Sequence, residues 1–181
     1  MKVLVSNPCL HPNSVYPAYL WARFKTYIDL DYENKVNVEW LTPLYMNEVE
    51  LPDEDFDILV ISNYVWNYEK NYELAKQAKE RNPNVFVIAG GPQTEYKNPN
   101  IWDHSIDAFC YTEGERVFAE FLYAWQKDLS LDIPGIVLRT NPNKEQVSVP
   151  KLQLDKLSSV YLHCKDLLQE QVDFIKSLGK R

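Results

Sequence analysis

Glycine is scarce in this chain, with 5 among 181 residues. None of them falls in the stretch after the first apolar run, Asn7-Pro8-Cys9-Leu10-His11-Pro12-Asn13-Ser14. A phosphate-cradling glycine loop or a dinucleotide fingerprint there is excluded. The same stretch lacks acidic residues, which excludes the Mg²⁺ site of a phosphoacceptor receiver domain. Cysteine is equally sparse: Cys9, Cys110 and Cys164 are odd in number and far apart. That argues against a disulfide framework and for a reducing, cytoplasmic setting. Basic charge is in deficit, with 19 Lys and Arg against 26 Asp and Glu and a net charge of −7. Neither nucleic acid nor an anionic membrane surface suits such a balance. No apolar run reaches the length of a membrane span. The opening Lys2-Val3-Leu4-Val5 is too short and too polar-flanked for a signal peptide.

What the chain has in quantity is apolar and aromatic side chains, 45% and 13% of residues, enough for a sizeable core. Short strand-like runs occur at 3–6, 36–41, 58–62, 85–89 and 108–112, most of them apolar on both faces. Helical periodicity separates most of them. Tyr16, Leu20, Phe24 and Ile28 recur every four residues, with Ser14 as N-cap and Pro17 in the first turn. The spacing predicts a second helix over 68–81, stopped by Asn82-Pro83. It predicts a third over 115–127, with Val117, Phe118, Phe121, Leu122 and Trp125 on one face. Segments 43–55 and 93–105 read as short helices or loops. The alternation indicates an α/β, flavodoxin-like doubly wound five-stranded parallel sheet of order 2-1-3-4-5 over residues 1–130. Beyond it, residues 136–139 and 146–149 flank Asn141-Pro142-Asn143-Lys144 and read as a β-hairpin, within a hairpin-and-linker segment 131–161. Leu167, Leu168, Val172 and Ile175 mark a helical tail over 162–181, which docks either on its own domain or on a neighbour.

In such a fold ligands bind at the carboxyl ends of the strands. Five candidate features lie there. His11, in the first tip, is a weak candidate metal ligand, since a lone His in a proline-rich loop more often hydrogen-bonds that loop. Cys9, with no base nearby in sequence, reads as a buried apolar residue. Ser62 and Asn63 at the third tip serve either as helix caps or as ligand donors, and Asn67 reads as a cap. Gly90-Gly91-Pro92 ends the fourth strand. One glycine satisfies a tight turn; the pair points further, to close approach of a bulky polar ligand. Glu113-Gly114-Glu115 opens the last helix, where the helix dipole favours acids; they serve either as simple caps or, with Glu113 turning its carboxylate into the crevice beside Gly90, as part of the site. No nucleophile accompanies these acids, so no catalytic residue is assigned.

These pieces in order resemble a known family: the 62–67 tip, Gly90-Gly91-Pro92, Glu113-Gly114-Glu115, then Ile133-Pro134-Gly135-Ile136-Val137-Leu138-Arg139 and Leu154-Asp155-Lys156-Leu157. Together they look like the N-terminal cobalamin-binding domain of B12-dependent radical SAM enzymes, over roughly residues 1–161. The resemblance implies a corrin lying over the strand tips and a nucleotide tail in the crevice. It places Ser62 and Asn63 near the tail or corrin edge, Gly90, Gly91 and Pro92 under the tail, and Glu113, Gly114 and Glu115 beside it. Two departures stand out. The Asp-x-His-x-x-Gly motif of His-ligating B12 domains is absent after the first strand, which implies cobalamin held without a protein His. The Cys-x-x-x-Cys-x-x-Cys of a radical SAM cluster is also absent, so no iron–sulfur cluster is expected in this chain. The reading that follows is a cobalamin-binding domain, separated or truncated from a radical SAM partner and not catalytic alone. A scaffold or interaction module that keeps the fold without the cofactor is the alternative; a small flavodoxin-like enzyme handling glycosyl groups or nucleotides ranks last. A crevice already filled by Tyr64, Trp66 or Tyr96 points to the scaffold, an open groove beside Gly90 to the cofactor.

Overall fold

The apolar runs become strands because both of their faces are covered. In the computed structural model, which describes residues 1–8, 17–45, 49–93, 99–145, 147–177 and 179, β1 (Lys2–Ser6), β3 (Ile58–Ser62) and β4 (Phe86–Gly90) form the middle of the sheet. Side chains alternate along each strand. Val3, Val5, Ile58, Val60 and Ile88 face one apolar cluster, and Leu4, Leu59, Ile61, Val87 and Ala89 face the other. The edges are β2 (Glu39–Trp40) on one side and β5 (Ala108–Cys110) with β6 (Ile136–Leu138) on the other. The order is β2-β1-β3-β4-β5-β6, with the first five strands parallel and β6 antiparallel to β5.

Helices cover both faces. α1 (Tyr19–Thr26), α3 (Gly114–Gln126) and the tail lie on the first, α2 (Tyr68–Arg81) on the second. The periodicity in α3 puts Phe118, Phe121 and Leu122 at or near zero exposure. Each such side chain contributes about 1.5–3 kcal/mol through burial.

Four expectations change in detail. α1 begins at Tyr19, so Pro17 precedes the helix instead of sitting in its first turn, and the expected cap Ser14 lies outside the described residues. At its other end α1 runs into a π turn over Tyr27–Asp31, closed by the Tyr32 N–H donating to the Tyr27 carbonyl at 2.8 Å. The run 36–41 yields only the two residues of β2, because the Asn37 N–H is taken by Gln126 Oε1 at 2.8 Å. No hairpin over 136–149 is present among the described residues. Ile136 and Val137 are both fully buried, one in each cluster, so their strand joins the main sheet and covers its edge. Val147, by contrast, is 46% exposed and outside any strand.

The helical tail is divided into α4 (Val160–His163) and α5 (Lys165–Ser177). It docks on its own domain, where Val160, Cys164 and Leu168 enter the α1–α3 cluster. Among the described residues no helix is long and apolar enough to cross a membrane.

Candidate functional site

The chain leaves β1 for one side of the sheet and returns for β3 on the other, so a crevice opens at the carboxyl ends of the strands. The tips are held in place by buried amides. Asn67 does not cap α2 with its side chain. Its Oδ1 accepts from the Tyr64 N–H at 2.8 Å, and its Nδ2 lies 3.1 Å from Asn7 Oδ1, Pro8 O and Ser62 O. Asn71 Nδ2 donates to Ser62 O and Asn63 Oδ1, while its own Oδ1 accepts from Ser6 Oγ. The tips of β1 and β3 are thus tied through α2, with partners for nearly every buried polar atom. Asn67 and Asn71, four residues apart on one helix face, are the one sequence signal for this network.

Within this network of asparagines one buried donor is left over. Asn63 is fully buried, its N–H donates to Gly90 O at 2.7 Å, and its Nδ2 has no partner among the described residues. An orphan amide at a strand tip is costly unless a ligand or water completes it.

Between the tips of β3, β4 and β5 and the helices α1 and α3 lies a cleft of about 190 Å³. Ser62 and Tyr64 line it from β3, Gly90 and Gly91 from β4, and Cys110 and Thr112 from β5. Leu20 and Phe24 of α1 and Gly114 and Phe118 of α3 form the opposite wall. The cleft continues into a wider mouth of about 550 Å³, bordered by Tyr19, Trp66 and the Arg23–Glu115 ion pair at 3.2 Å. Tyr64 and Trp66 stack at 4.6 Å, with Trp66 48% exposed. Among the described residues none fills the groove beside Gly90: Tyr64 is part of its lining and Trp66 stands at the mouth. Tyr96 lies outside the described residues.

The two glycines do different work. Gly91 has φ +94°, and a Cβ there would sit 2.5 Å from the Asn63 carbonyl oxygen. Its need for glycine is set by the fold, not by a ligand. At Gly90 a Cβ would meet Cys110 O at 3.5 Å, ordinary contact, and any longer side chain would enter the cleft.

The remaining candidates divide. Ser62, 6% exposed, and Gly114 line the cleft. Pro92 is exposed and outside the lining. Glu113 does not turn towards Gly90. Its Oε2 accepts from the Leu152 N–H at 2.9 Å, so the carboxylate anchors the 147–152 strap in a separate groove. Glu115 sits at the mouth, paired with Arg23. His11 and Cys9 lie outside the described residues. Among those described, no three His, Cys, Asp or Glu side chains are grouped to hold a metal ion.

The inner cleft is uncharged. Burial pushes its Cys110 thiol up to about 11, and the thiol donates to Thr112 O at 3.8 Å. Iodoacetamide at pH 8 should therefore label the Cys110 peptide about a hundredfold more slowly than a free thiol, because the thiolate fraction is that much smaller. Peptide-mapped labelling rates check this. Cys110, Thr112, Leu20 and Phe24 were not singled out in the sequence as site residues, since an apolar cleft wall and an apolar core stripe have the same periodicity.

Comparison with known proteins follows this geometry. Residues 48–122, which span α2, β3, β4, β5 and part of α3, match the B12 binding domain family model. The chain is 37% identical over 87 residues to the cobalamin-dependent radical SAM methyltransferase TokK of Streptomyces tokunonensis, covering 46% of this chain and 13% of that one. It is 28% identical over 123 residues to the 2-(S-pantetheinyl)-carbapenam-3-carboxylate methyltransferase of Streptantibioticus cattleyicolor, covering 64% and 18%. The chain thus spans less than a fifth of the length of these curated relatives. Its fold is that of part of the radical S-adenosylmethionine methyltransferase TsrM from Kitasatospora setae, solved with tryptophan and a SAM analog. The TM-score is 0.57 at 15% identity, over 79% of this chain and 30% of that one.

Proposed function

We propose that this chain binds cobalamin at the β3–β4–β5 tips and presents it to a radical SAM catalytic unit, a reading supported by the match of residues 48–122 to the B12 binding domain family model. The observation that carries the reading is the open, uncharged cleft floored by Gly90. At about 190 Å³ it is smaller than the roughly 300–1,000 Å³ that encloses a whole drug-sized ligand. It suits one arm of a large cofactor, the nucleotide tail, with the corrin across the wider mouth. Gly90 leaves the floor bare, while Asn63, whose side chain turns to Asn71 of α2, stands outside the cleft lining. Bound cobalamin supplies the reactive cobalt, and the protein's own residues seat and orient the cofactor.

Of the residues assigned to the cofactor, Ser62, Gly90 and Gly114 line its cleft, and Asn63 holds the β3 tip from behind through Asn71 and the Gly90 carbonyl. Gly91 shapes the turn beneath, Glu115 borders the mouth through Arg23, and Pro92 and Glu113 act outside the cleft. The free thiols of Cys110 and Cys164 support a reducing, cytoplasmic setting. No catalytic group is assigned to this chain, and the catalytic unit is a further part of the same polypeptide or a separate protein.

Titration with hydroxocobalamin tests the reading. Trp66 stands at the mouth, so its fluorescence is expected to fall saturably at one cofactor per chain. A signal that stays flat after correction for corrin absorbance contradicts the proposal.

A further inference from the structure

We propose that Gln171, on the C-terminal helix α5, is a positioning residue for the cofactor cleft, acting through the N-terminus of α1; the inference rests on the cobalamin reading above. α1 is the one helix wedged between the cleft and the tail. Its Leu20 and Phe24 form the cleft wall, and Phe24 packs on Phe118 of α3 at 4.8 Å. Its other side is fastened to the tail. Cys164 lies 3.7 Å from Thr26 Oγ1 and 3.8 Å from Ala22 O. Asp29, in the π turn, bonds His163 Nε2 at 2.8 Å, and Asp31 accepts from the Ser158 N–H at 3.0 Å and Oγ at 2.6 Å.

Those polar contacts all fall at residue 22 or beyond, and at the start of the helix the tail otherwise offers the Tyr161 ring, 6.1 Å from that of Tyr19. Gln171 acts at the start of the helix. Its Oε1 accepts from the buried Ala18 N–H at 2.7 Å, across 153 residues of sequence. Ala18 is the N-cap residue and has no side-chain oxygen of its own to cap the helix. Leu20, the first wall residue, follows two positions later. Gln171 is 3% exposed, so water does not replace its oxygen. Val160, Cys164 and Leu168 keep the tail docked without it. Loss of the Gln171 oxygen therefore releases the start of the wall while leaving the tail in place. Among the described residues Nε2 of Gln171 is buried without a partner, so the oxygen carries the one hydrogen bond seen here.

That asymmetry sets the test, made on the full chain. Gln171→Leu removes the acceptor at similar size. Gln171→Glu keeps it, drops the unpaired NH₂ and places negative charge at a helix N-terminus, where it is favoured. The leucine variant is expected to bind hydroxocobalamin about tenfold more weakly, the effect of one buried hydrogen bond. Amides of residues 19–24 should exchange hydrogen faster without cofactor, while those of 166–176 stay protected. The glutamate variant is expected within about twofold of the unsubstituted chain in affinity. If the leucine variant does not fold, Gln171→Met is read in its place. Unchanged affinity in the leucine variant, or equal loss in both, overturns the proposal, since a purely structural residue lowers the thermal midpoint and leaves the affinity of the folded chain alone. If the unsubstituted chain takes up no hydroxocobalamin, the cobalamin reading fails separately. Exchange at 19–24 still decides whether Gln171 positions the wall, and an unchanged rate there overturns it.

Discussion

Gly90→Leu is expected to abolish cobalamin binding in a protein that still folds. Ile88 and Gly90 lie on the same face of β4, so a side chain at 90 projects into the cleft side of the sheet. The first atom is tolerated, since a Cβ would make ordinary contacts with Cys110 at 3.5 and 3.7 Å. The rest of a leucine occupies the cleft of about 190 Å³ that the cofactor tail needs. A steric block of this kind should weaken binding at least about a hundredfold, near 2.7 kcal/mol. Gly90→Ala should fall between the two. Affinity by fluorescence titration and the thermal midpoint by calorimetry, measured on the same samples, separate blockage from unfolding. A leucine variant that binds as well as the unsubstituted chain removes the cleft from the site.

Gly91→Ala should do the opposite, damaging the fold first. The new Cβ meets Asn63 backbone atoms at 2.5, 2.7 and 3.1 Å, and the residue must hold φ +94°. Backbone cannot swing aside as a flexible side chain does. Moving Asn63 also disturbs its bonds to Gly90 O and Asn71. Strain at such a φ costs about 1–3 kcal/mol, and the clash brings the total to about 3–5 kcal/mol. That is a large share of a typical stability of about 5–15 kcal/mol. In a domain of this size the midpoint falls by about 10 °C. A Gly91→Ala protein as stable as the unsubstituted chain shows that the turn relaxes, and Gly91 then returns to the ligand-facing set.

The contrast between these neighbours shows what was legible in the sequence. Continuous apolar runs ending in polar residues or glycine mark the positions of β1, β3, β4 and β5, and their alternation with helices points to the order 2-1-3-4-5. The sequence does not tell a glycine required by a turn from one leaving room for a ligand, because both are absences of a side chain. Only the Asn63 backbone beneath Gly91 separates them. Ile136 and Val137 misled for a related reason. A run apolar on both faces belongs inside a sheet, yet the turn residues after it suggested a hairpin. For Glu113 the helix dipole sets where an acid is favoured but neither which way it turns nor which amide it meets; the Leu152 N–H is 39 residues away. Gln171 left no local trace, since its partner lies 153 residues earlier and its helix reads as an ordinary amphipathic tail.

The central claim is that the β3–β4–β5 cleft holds cobalamin. Gel filtration after incubation with hydroxocobalamin tests it most directly. The account predicts corrin absorbance co-eluting with the unsubstituted chain at one cofactor per protein and absent from the Gly90→Leu peak. A protein peak free of corrin absorbance in the unsubstituted chain contradicts it.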